Sequence, residues 1–206
     1  RRRSCWVPAG KSKPDAAGDQ PADIILITHD HYDHCSPADV EKLRGPHTTV
    51  ICNAMAGEII DCCTILRPWQ VINVGTASIK AVPAYNSHHP QNFGGLGYVI
   101  SLERYDIYYA GDTDVIPEMP RIGCDIAILP IGGRQTMNAV AAVEAVRVLH
   151  PRWARTHPRW RTPHAASSGA SMAMAARRRV SGPRSPTVRP PADDGPHDTT
   201  ARRAGF

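Results

Sequence analysis

The sequence has 206 residues, which is enough for one domain of ordinary size with a hydrophobic core. Its formal charge of +5 is unevenly distributed, because residues 1–150 carry 13 Lys and Arg against 16 Asp and Glu, whereas residues 151–206 carry 11 Arg against 3 Asp. The acidic first part gives no reason to expect a nucleic-acid partner for the folded region. No apolar run approaches the ~20 residues of a membrane-spanning helix, so no membrane contact is expected. Six cysteines without a disulfide-like spacing indicate a reducing, cytoplasmic setting.

Hydrophobic periodicity and turn-forming residues predict a series of strands and helices between residues 23 and 150. In chain order these are a buried strand over 23–28, a helix over 36–44, a strand over 48–52, a helix over 54–62, a hairpin of strands over 71–74 and 77–82, a second hairpin over 97–102 and 106–110, a strand over 124–131 and a helix over 138–150. The last helix is predicted to bury Ala142, Val143, Val146 and Leu149. Hairpins mixed with strand–helix units favour α/β layers and a mixed sheet.

Both ends of the chain differ in composition from this middle part. Residues 1–22 are rich in Pro, Gly, Lys and Asp and are predicted to be irregular. Residues 151–206 contain no Leu or Ile but 11 Arg and 8 Pro, so we expect a disordered tail over 159–206. The alternatives for the tail are an out-of-frame reading of GC-rich DNA, or a nucleic-acid patch at Arg177–Arg179.

The densest group of ligand-type side chains is Thr-His-Asp-His-Tyr-Asp-His over 28–34, directly after the first predicted strand. In extended backbone His29 and His31 point the same way and can converge on one cation. Asp33 and His34 come a step later and can turn toward a second point. So many imidazoles and carboxylates are costly to hold together unless a cation neutralises them. The alternative is a surface loop that binds nothing.

Further ligand-type residues follow other predicted strands. They are the pair His88 and His89 after the strand over 77–82, Asp112 after the strand over 106–110, and His157 after the short run 153–156. Separate strand ends that each deliver a ligand to one edge of a sheet predict a shared hydrolytic metal site.

Three features near these candidates remain open between a functional and a structural role. Cys35 is either an additional ligand or a buried thiol. Arg134 either binds an anionic group of a substrate or is a solvated loop side chain. The glycine-rich segment 94–97 leads into a strand, so it is predicted to let backbone segments pass close together and not to bind a phosphate.

The order His-x-His-x-Asp-His, then His, Asp and His resembles the metallo-β-lactamase-fold hydrolases. The segments 26–36, 82–86, 110–114 and 129–133 look like signatures of the bacterial group related to ascorbate-6-phosphate lactonase and of the uncharacterised metal-dependent hydrolases beside it. The resemblance covers residues 20–157. It implies an α/β fold, an αββα sandwich with mixed sheets over 23–158, and a chain truncated at the N-terminus, because the family's first β-hairpin layer has no counterpart here.

The resemblance also implies a ligand set. His29, His31 and the histidine of the pair 88–89 would hold one metal, and His89 fits the family's His-Pro step. Asp33, His34 and His157 would hold a second metal, with Asp112 bridging. His88 would then be a substrate contact or an exposed loop histidine. The residues around His157 depart from the family, in which an aromatic residue and a glycine follow the last histidine.

We therefore expect a metal-dependent hydrolase in which one or two Zn²⁺ ions (Mn²⁺ or Fe being the other candidates) supply a metal-bound hydroxide. The expected substrate is a lactone, ester or phosphoester of a small molecule. Asp33 and Asp112 are the expected catalytic residues, and Arg134 and His88 the expected substrate contacts. The alternative is a catalytically inert truncated fragment with weak metal binding.

Overall fold

The computed structural model describes residues 21–157. The predicted tail over 159–206 and nearly all of the predicted irregular start lie outside the described residues. Ala22, the last residue of that start, is buried, and its N–H donates to the carbonyl of Leu43 at 2.9 Å. Ala22 is therefore packed against the rest of the described residues.

Nine strands and three α-helices form within residues 21–157. In chain order they are β1 (Ile24–Leu26), α1 (Pro37–Leu43), β2 (Thr49–Cys52), α2 (Ala56–Ile59), β3 (Thr64–Ile65), β4 (Val71–Val74), β5 (Ala77–Pro83), β6 (Leu96–Leu102), β7 (Tyr105–Tyr109), β8 (Ile126–Pro130), α3 (Ala139–Leu149) and β9 (Trp153–His157). Short 3-10 turns cover Gln91–Phe93 and Met119–Arg121.

The strands form two sheets. The smaller sheet has the order β1-β2-β3, and both of its pairings are parallel. The larger sheet has the order β4-β5-β6-β7-β8-β9, antiparallel from β4 to β7 and parallel from β7 to β9. The prediction of a mixed sheet is therefore confirmed.

Three groups of buried side chains cover the faces of the two sheets: one lies between the sheets, and one covers the outer face of each sheet. Ile24 and Leu26 of β1 pack between the sheets against residues of β5 and β6 such as Ile79 and Leu96. The alternate residue Ile25 faces outward toward the layer of α1 and α2. The outer face of the larger sheet packs against α3. The order of layers is αββα, as the resemblance implied.

Two secondary-structure predictions were wrong in detail. The predicted helix over 54–62 is confined to α2, because Ile60 is extended, Cys62 takes a left-handed φ of 56° and the chain then enters β3. Helix α3 is rotated relative to its prediction: Ala145 is buried and Val143 is 52% exposed. Small alanine side chains let this helix lie close to the sheet. Ala142 and Leu149 are buried as predicted, and Val146 is partly buried against the same core.

None of the helices between residues 21 and 157 is long and apolar enough to cross a lipid bilayer.

Candidate metal centre

The end of β1 holds His29 in a fixed position. The Tyr98 hydroxyl donates to the Ile27 carbonyl at 2.7 Å, and the Leu96 N–H donates to the Thr28 carbonyl at 2.9 Å. The Thr28 hydroxyl lies 2.9 Å from Nδ1 of His29. Because Nδ1 is engaged by Thr28, the Nε2 atom of His29 is the one available to a ligand.

A tight turn after His31 brings the rest of the motif back toward His29. The N–H groups of His34 and Cys35 both donate to the His31 carbonyl at 2.8 Å. The centroid of the His34 ring consequently lies 4.2 Å from that of His29. The turn therefore places His34 beside His29 as a second potential metal ligand.

Asn86 is the residue that positions His89, and the sequence analysis assigned it no role. Its Oδ1 accepts the N–H groups of His88 and His89, both at 2.8 Å. Its Nδ2 donates to the carbonyls of Asp112 at 3.2 Å and Gln135 at 2.7 Å. One buried amide therefore ties together three loops. The available sequence signal was an Asn that opens a polar turn after a buried strand.

Gly111 lets Asp112 reach the site. Its φ of +66° is left-handed, and a Cβ there would lie 2.9 Å from the Leu96 carbonyl oxygen and 3.1 Å from Cγ2 of Thr28. The chain can therefore pass over the end of β6 only with glycine at this position. The carboxylate of Asp112 is buried, and its Oδ2 lies 3.4 Å from Nε2 of His34.

The predicted ligands assemble into two groups. One consists of His29, His31 and His89, and the other of His29, His34 and Asp112; within each group the ligand atoms lie within 4.8 Å of one another. The first group is the set that the resemblance implied for one metal. The second contains His34 and Asp112 as implied, but shares His29 with the first.

Asp33 and His157 lie beside the second group and not within it. Oδ2 of Asp33 is 3.7 Å from Nε2 of His34. His157 ends β9 opposite Pro130 and stacks on the ring of Tyr109, with centroids 5.8 Å apart. Burial lowers the pKa of His157, and the neighbouring Asp112 opposes that shift. The structure thus brings all seven predicted ligands to one region, with Asp33 and His157 at its edge.

The electrostatics of the cluster fit a cation. Burial, with the neighbouring His34, lowers the pKa of His29 to about 2, and burial likewise lowers the pKa of His89. Both imidazoles are therefore neutral near pH 7, as metal ligation requires. The Nε2 atoms of His29 and His157 are buried without a hydrogen-bond partner among the described residues. Orphaned imidazole nitrogens beside a buried carboxylate are the donor set that Zn²⁺ and similar ions bind.

The remaining candidate residues differ in how far their side chains are exposed to solvent. His88 is exposed and contacts Ser87, whereas its neighbour His89 is buried. Arg134 is exposed on the loop that also contains Gln135. Cys35 is buried among apolar side chains, and burial raises the pKa of its thiol to about 11. Cys35 therefore has the environment of a buried thiol.

Phe93 and the glycine-rich segment form one wall of the centre. The Phe93 ring stacks on His89, with centroids 5.1 Å apart and an interplanar angle of 23°. A Cβ on Gly95 would lie 2.7 Å from the Ala84 carbonyl oxygen, so the predicted close backbone approach occurs here. Together with His29 and Asp112 these residues line a narrow cleft.

A family model described as a beta-lactamase superfamily domain matches residues 7–154. The chain belongs to the beta-lactamase superfamily. A UPF0173 metal-dependent hydrolase of Thermoplasma acidophilum is 35% identical to it over 156 residues, which cover 70% of this chain and 67% of that protein.

Two solved structures of metal-dependent hydrolases resemble the chain. A proposed metal-dependent hydrolase from Parabacteroides distasonis has 32% sequence identity and a TM-score of 0.64, over 66% of each chain. A metallo hydrolase from Ignicoccus hospitalis has 26% identity and a TM-score of 0.55, over 65% of this chain and 62% of that one. The resemblance stated from sequence is thus confirmed at the level of the family and the fold.

The beta-lactamase superfamily match covers nearly all of the candidate centre. Residues 29–34, His89 and Asp112 lie inside the matched range, whereas His157 lies three positions beyond it. The chain spans about two thirds of the length of the T. acidophilum and P. distasonis proteins. The site residues inside the matched range are therefore those that follow β1, β5 and β7.

Proposed function

We propose that this chain is a hydrolase that cleaves a lactone, ester or phosphoester bond of a small molecule with the help of one or two bound metal ions. The observation that carries the proposal is the convergence of His29, His31, His34, His89 and Asp112 into two adjoining groups of ligand atoms. The names of the related proteins, which are metal-dependent hydrolases, support the same class of reaction.

We assign the first metal to His29, His31 and His89, and the second to His34 and Asp112, with Asp33 and His157 as the outer members of that site. Imidazole nitrogen and carboxylate oxygen suit Zn²⁺ best, and also Mn²⁺ or Fe. When bound, such an ion would act as a Lewis acid and lower the pKa of a coordinated water.

The protein groups have separate tasks in this proposal. The buried carboxylate of Asp112 offsets the positive charge of the ions and lies against the ring of His34. Asp33 is less buried than Asp112, with 25% of its side chain exposed, so it can pass a proton to a departing alcohol. Asn86 accepts hydrogen bonds from the backbone N–H groups of His88 and His89, and these bonds keep His89 in place while the substrate binds.

The rim of the centre favours a substrate with an anionic group. Arg134 is exposed on the loop whose Gln135 carbonyl accepts a hydrogen bond from Asn86. Tyr32, between two residues of the metal motif, has 79% of its surface exposed and can contact a bound molecule. We therefore favour phosphorylated small molecules, in keeping with the resemblance to the ascorbate-6-phosphate lactonase group. The spacing of the six cysteines, which is unlike that of a disulfide framework, supports our proposal of a reducing, cytoplasmic setting.

The test combines metal analysis with a hydrolysis screen. Purified full-length protein is expected to bind close to two equivalents of Zn²⁺ and to hydrolyse at least one member of a panel of lactones, phosphodiesters and thioesters with added Zn²⁺ or Mn²⁺. His31→Ala and Asp112→Ala are expected to abolish that turnover. The control is His47→Ala, because His47 is exposed and lies outside the ligand groups.

Two results would contradict the proposal. Turnover that is unchanged in both His31→Ala and Asp112→Ala would exclude the assigned residues. Protein that binds no metal and hydrolyses none of the panel would instead support the inert-fragment alternative.

A further inference from the structure

Two cysteine sulfurs meet at the edge of the smaller sheet, and neither belongs to a group of metal ligands. Cys52 is the last residue of β2, and Cys63 directly precedes β3, which pairs with β2 in parallel. Their Sγ atoms lie 2.7 Å apart, with the Cys52 thiol donating to Cys63. A disulfide bond is ~2.05 Å long, so the sulfurs need to approach by only a fraction of an ångström to bond.

We propose that Cys52 and Cys63 form a reactive dithiol that hydroperoxides oxidise reversibly to a disulfide. Neither the metal-dependent reaction nor any of its assigned residues involves this pair. The proposal therefore stands independently of the hydrolase function.

The surroundings give the two thiols different roles. Cys52 is fully buried, whereas Cys63 is partly exposed and can meet a small oxidant. The hydrogen bond from Cys52 lowers the pKa of Cys63, burial opposes this shift, and the guanidinium of Arg44 adds to the lowering. Arg44 is held nearby by its hydrogen bond to the Asp61 carbonyl at 2.9 Å. Cys63 is thus the attacking thiolate and Cys52 the resolving thiol.

The chemistry balances with hydrogen peroxide as the oxidant. The Cys63 thiolate attacks one peroxide oxygen, the O–O bond breaks, and hydroxide leaves, so that Cys63 becomes a sulfenic acid. The Cys52 thiol then attacks the Cys63 sulfur, the S–O bond breaks, and water leaves as the S–S bond forms. In total two thiols are oxidised and one peroxide is reduced to two waters.

The pair lies one residue from a contact that supports the metal centre. Asn53 follows Cys52, and its Nδ2 donates to the Gly94 carbonyl at 3.1 Å while its Oδ1 accepts the N–H of Ala56 at 3.0 Å. Gly94 follows Phe93, whose ring stacks on His89. A bond between Cys52 and Cys63 would therefore fix the backbone at the base of the wall beside the centre.

Peptide mapping of the metal-free full-length protein tests the proposal. The protein is treated with hydrogen peroxide, its remaining thiols are alkylated, and it is cleaved after Glu58, which separates Cys52 from Cys63. We expect a linked peptide pair that parts on reduction, the loss of two of the six thiols present in the chain, and their return with dithiothreitol.

Four variants assign the bond. Cys63→Ser and Cys52→Ser are expected to abolish the linked pair, whereas Cys62→Ser and Cys124→Ser are expected to retain it. Cys63→Ser is decisive even where the buried Cys52→Ser variant fails to fold, since Cys63 is only partly buried. The proposal is overturned if peroxide yields no linked peptide pair, or if Cys63→Ser loses thiols as fast as the unaltered protein. A linkage through Cys62 in the unaltered protein would also overturn it.

Discussion

The Nε2 atom of His89 lies 3.1 Å from the Nδ1 atom of His31, although 58 positions separate the two residues in the chain. The ring centroids are 4.4 Å apart, and both residues share a ligand group with His29. Two imidazole nitrogens this close either share a proton or face a common cation. The contact joins the loop after β5 to the loop after β1.

This contact predicts that the adjacent histidines 88 and 89 differ sharply in their effect on metal binding. His89→Ala should lower the affinity for Zn²⁺ by more than the ~10–100-fold that is typical of losing an outer-shell partner. His88→Ala should leave it unchanged, because His88 is exposed and outside both ligand groups. Isothermal titration of Zn²⁺ into both variants measures the difference, and equal affinities would remove His89 from the site.

Asn86 predicts a loss of both stability and metal affinity. Asn86→Ala removes four hydrogen bonds to the backbone and the 3.3 Å contact between Nδ2 of Asn86 and Nδ1 of His89, and it leaves the carbonyls of Asp112 and Gln135 without this donor. The free energy of unfolding should fall by about 2–4 kcal/mol, and Zn²⁺ affinity by ~10–100-fold. Urea denaturation and Zn²⁺ titration report the two effects. The control is Asn92→Ala, an exposed asparagine on the next turn; a similar loss in that variant would argue against a positioning role for Asn86.

Two buried tyrosines in adjacent strands should respond oppositely to removal of the hydroxyl. Tyr98 donates to the Ile27 carbonyl, so Tyr98→Phe should cost about 1 kcal/mol of unfolding free energy. The Tyr108 hydroxyl is buried without a partner among residues 21–157, so Tyr108→Phe should be neutral or stabilising. Chemical denaturation of both variants tests this pair, and a larger loss from Tyr108→Phe would contradict it.

The same phenols predict a loss of stability at alkaline pH. Burial raises the pKa of Tyr98 and of Tyr108, so the folded state holds these protons more tightly than the unfolded state. Their contribution is complete below the unfolded pKa of ~10 and is lost as the pH rises above it. Unfolding midpoints measured from pH 8 upward should therefore fall beyond about pH 10. The fall should be shallower in Tyr98→Phe, and an identical slope would show that this phenol does not contribute.

Gly111 should tolerate a side chain less well than Gly75, although both have a left-handed φ. Gly75→Ala carries only the conformational cost of about 1–2 kcal/mol, since a Cβ there has no atom within 4 Å. Gly111→Ala adds a contact of 2.9 Å with the Leu96 carbonyl oxygen. Its unfolding free energy should drop further, and Zn²⁺ binding should weaken because Asp112 is displaced. Equal losses in the two variants would count against the close approach.

The order of elements was largely readable from the sequence because it depends on local patterns. The run Ile24–Ile27, the Ser36 cap with Pro37, and the hairpin at Gly75 each act within a few residues. The predictions failed where a tertiary contact opposed the pattern. In α3 the mixture of alanine and valine residues would allow more than one face of the helix to pack against the sheet. Close packing against β8 favours the face that carries the alanines.

The ligand types and their approximate places also came from the sequence, since polar residues directly after buried strands must lie at a sheet edge. Spacing alone did not decide between His88 and His89, and it gave no role to Asn86. The position of His89 and the role of Asn86 both depend on the hydrogen bonds that Asn86 donates to Asp112 and Gln135. These two residues lie 26 and 49 positions after Asn86 in the chain.

The sequence by itself therefore determined the α/β class, most of the strands and helices along the chain, and the pool of imidazoles and carboxylates, because periodicity and strand ends are local properties. Only the tertiary structure decided which side chains share a centre, that Cys52 faces Cys63, and that His29 belongs to both ligand groups. The physical reason is that these relationships arise from the pairing of β1 with β2 and β2 with β3, and from the packing of the two sheets. Such pairings join distant segments, and no local pattern of residues encodes their distances.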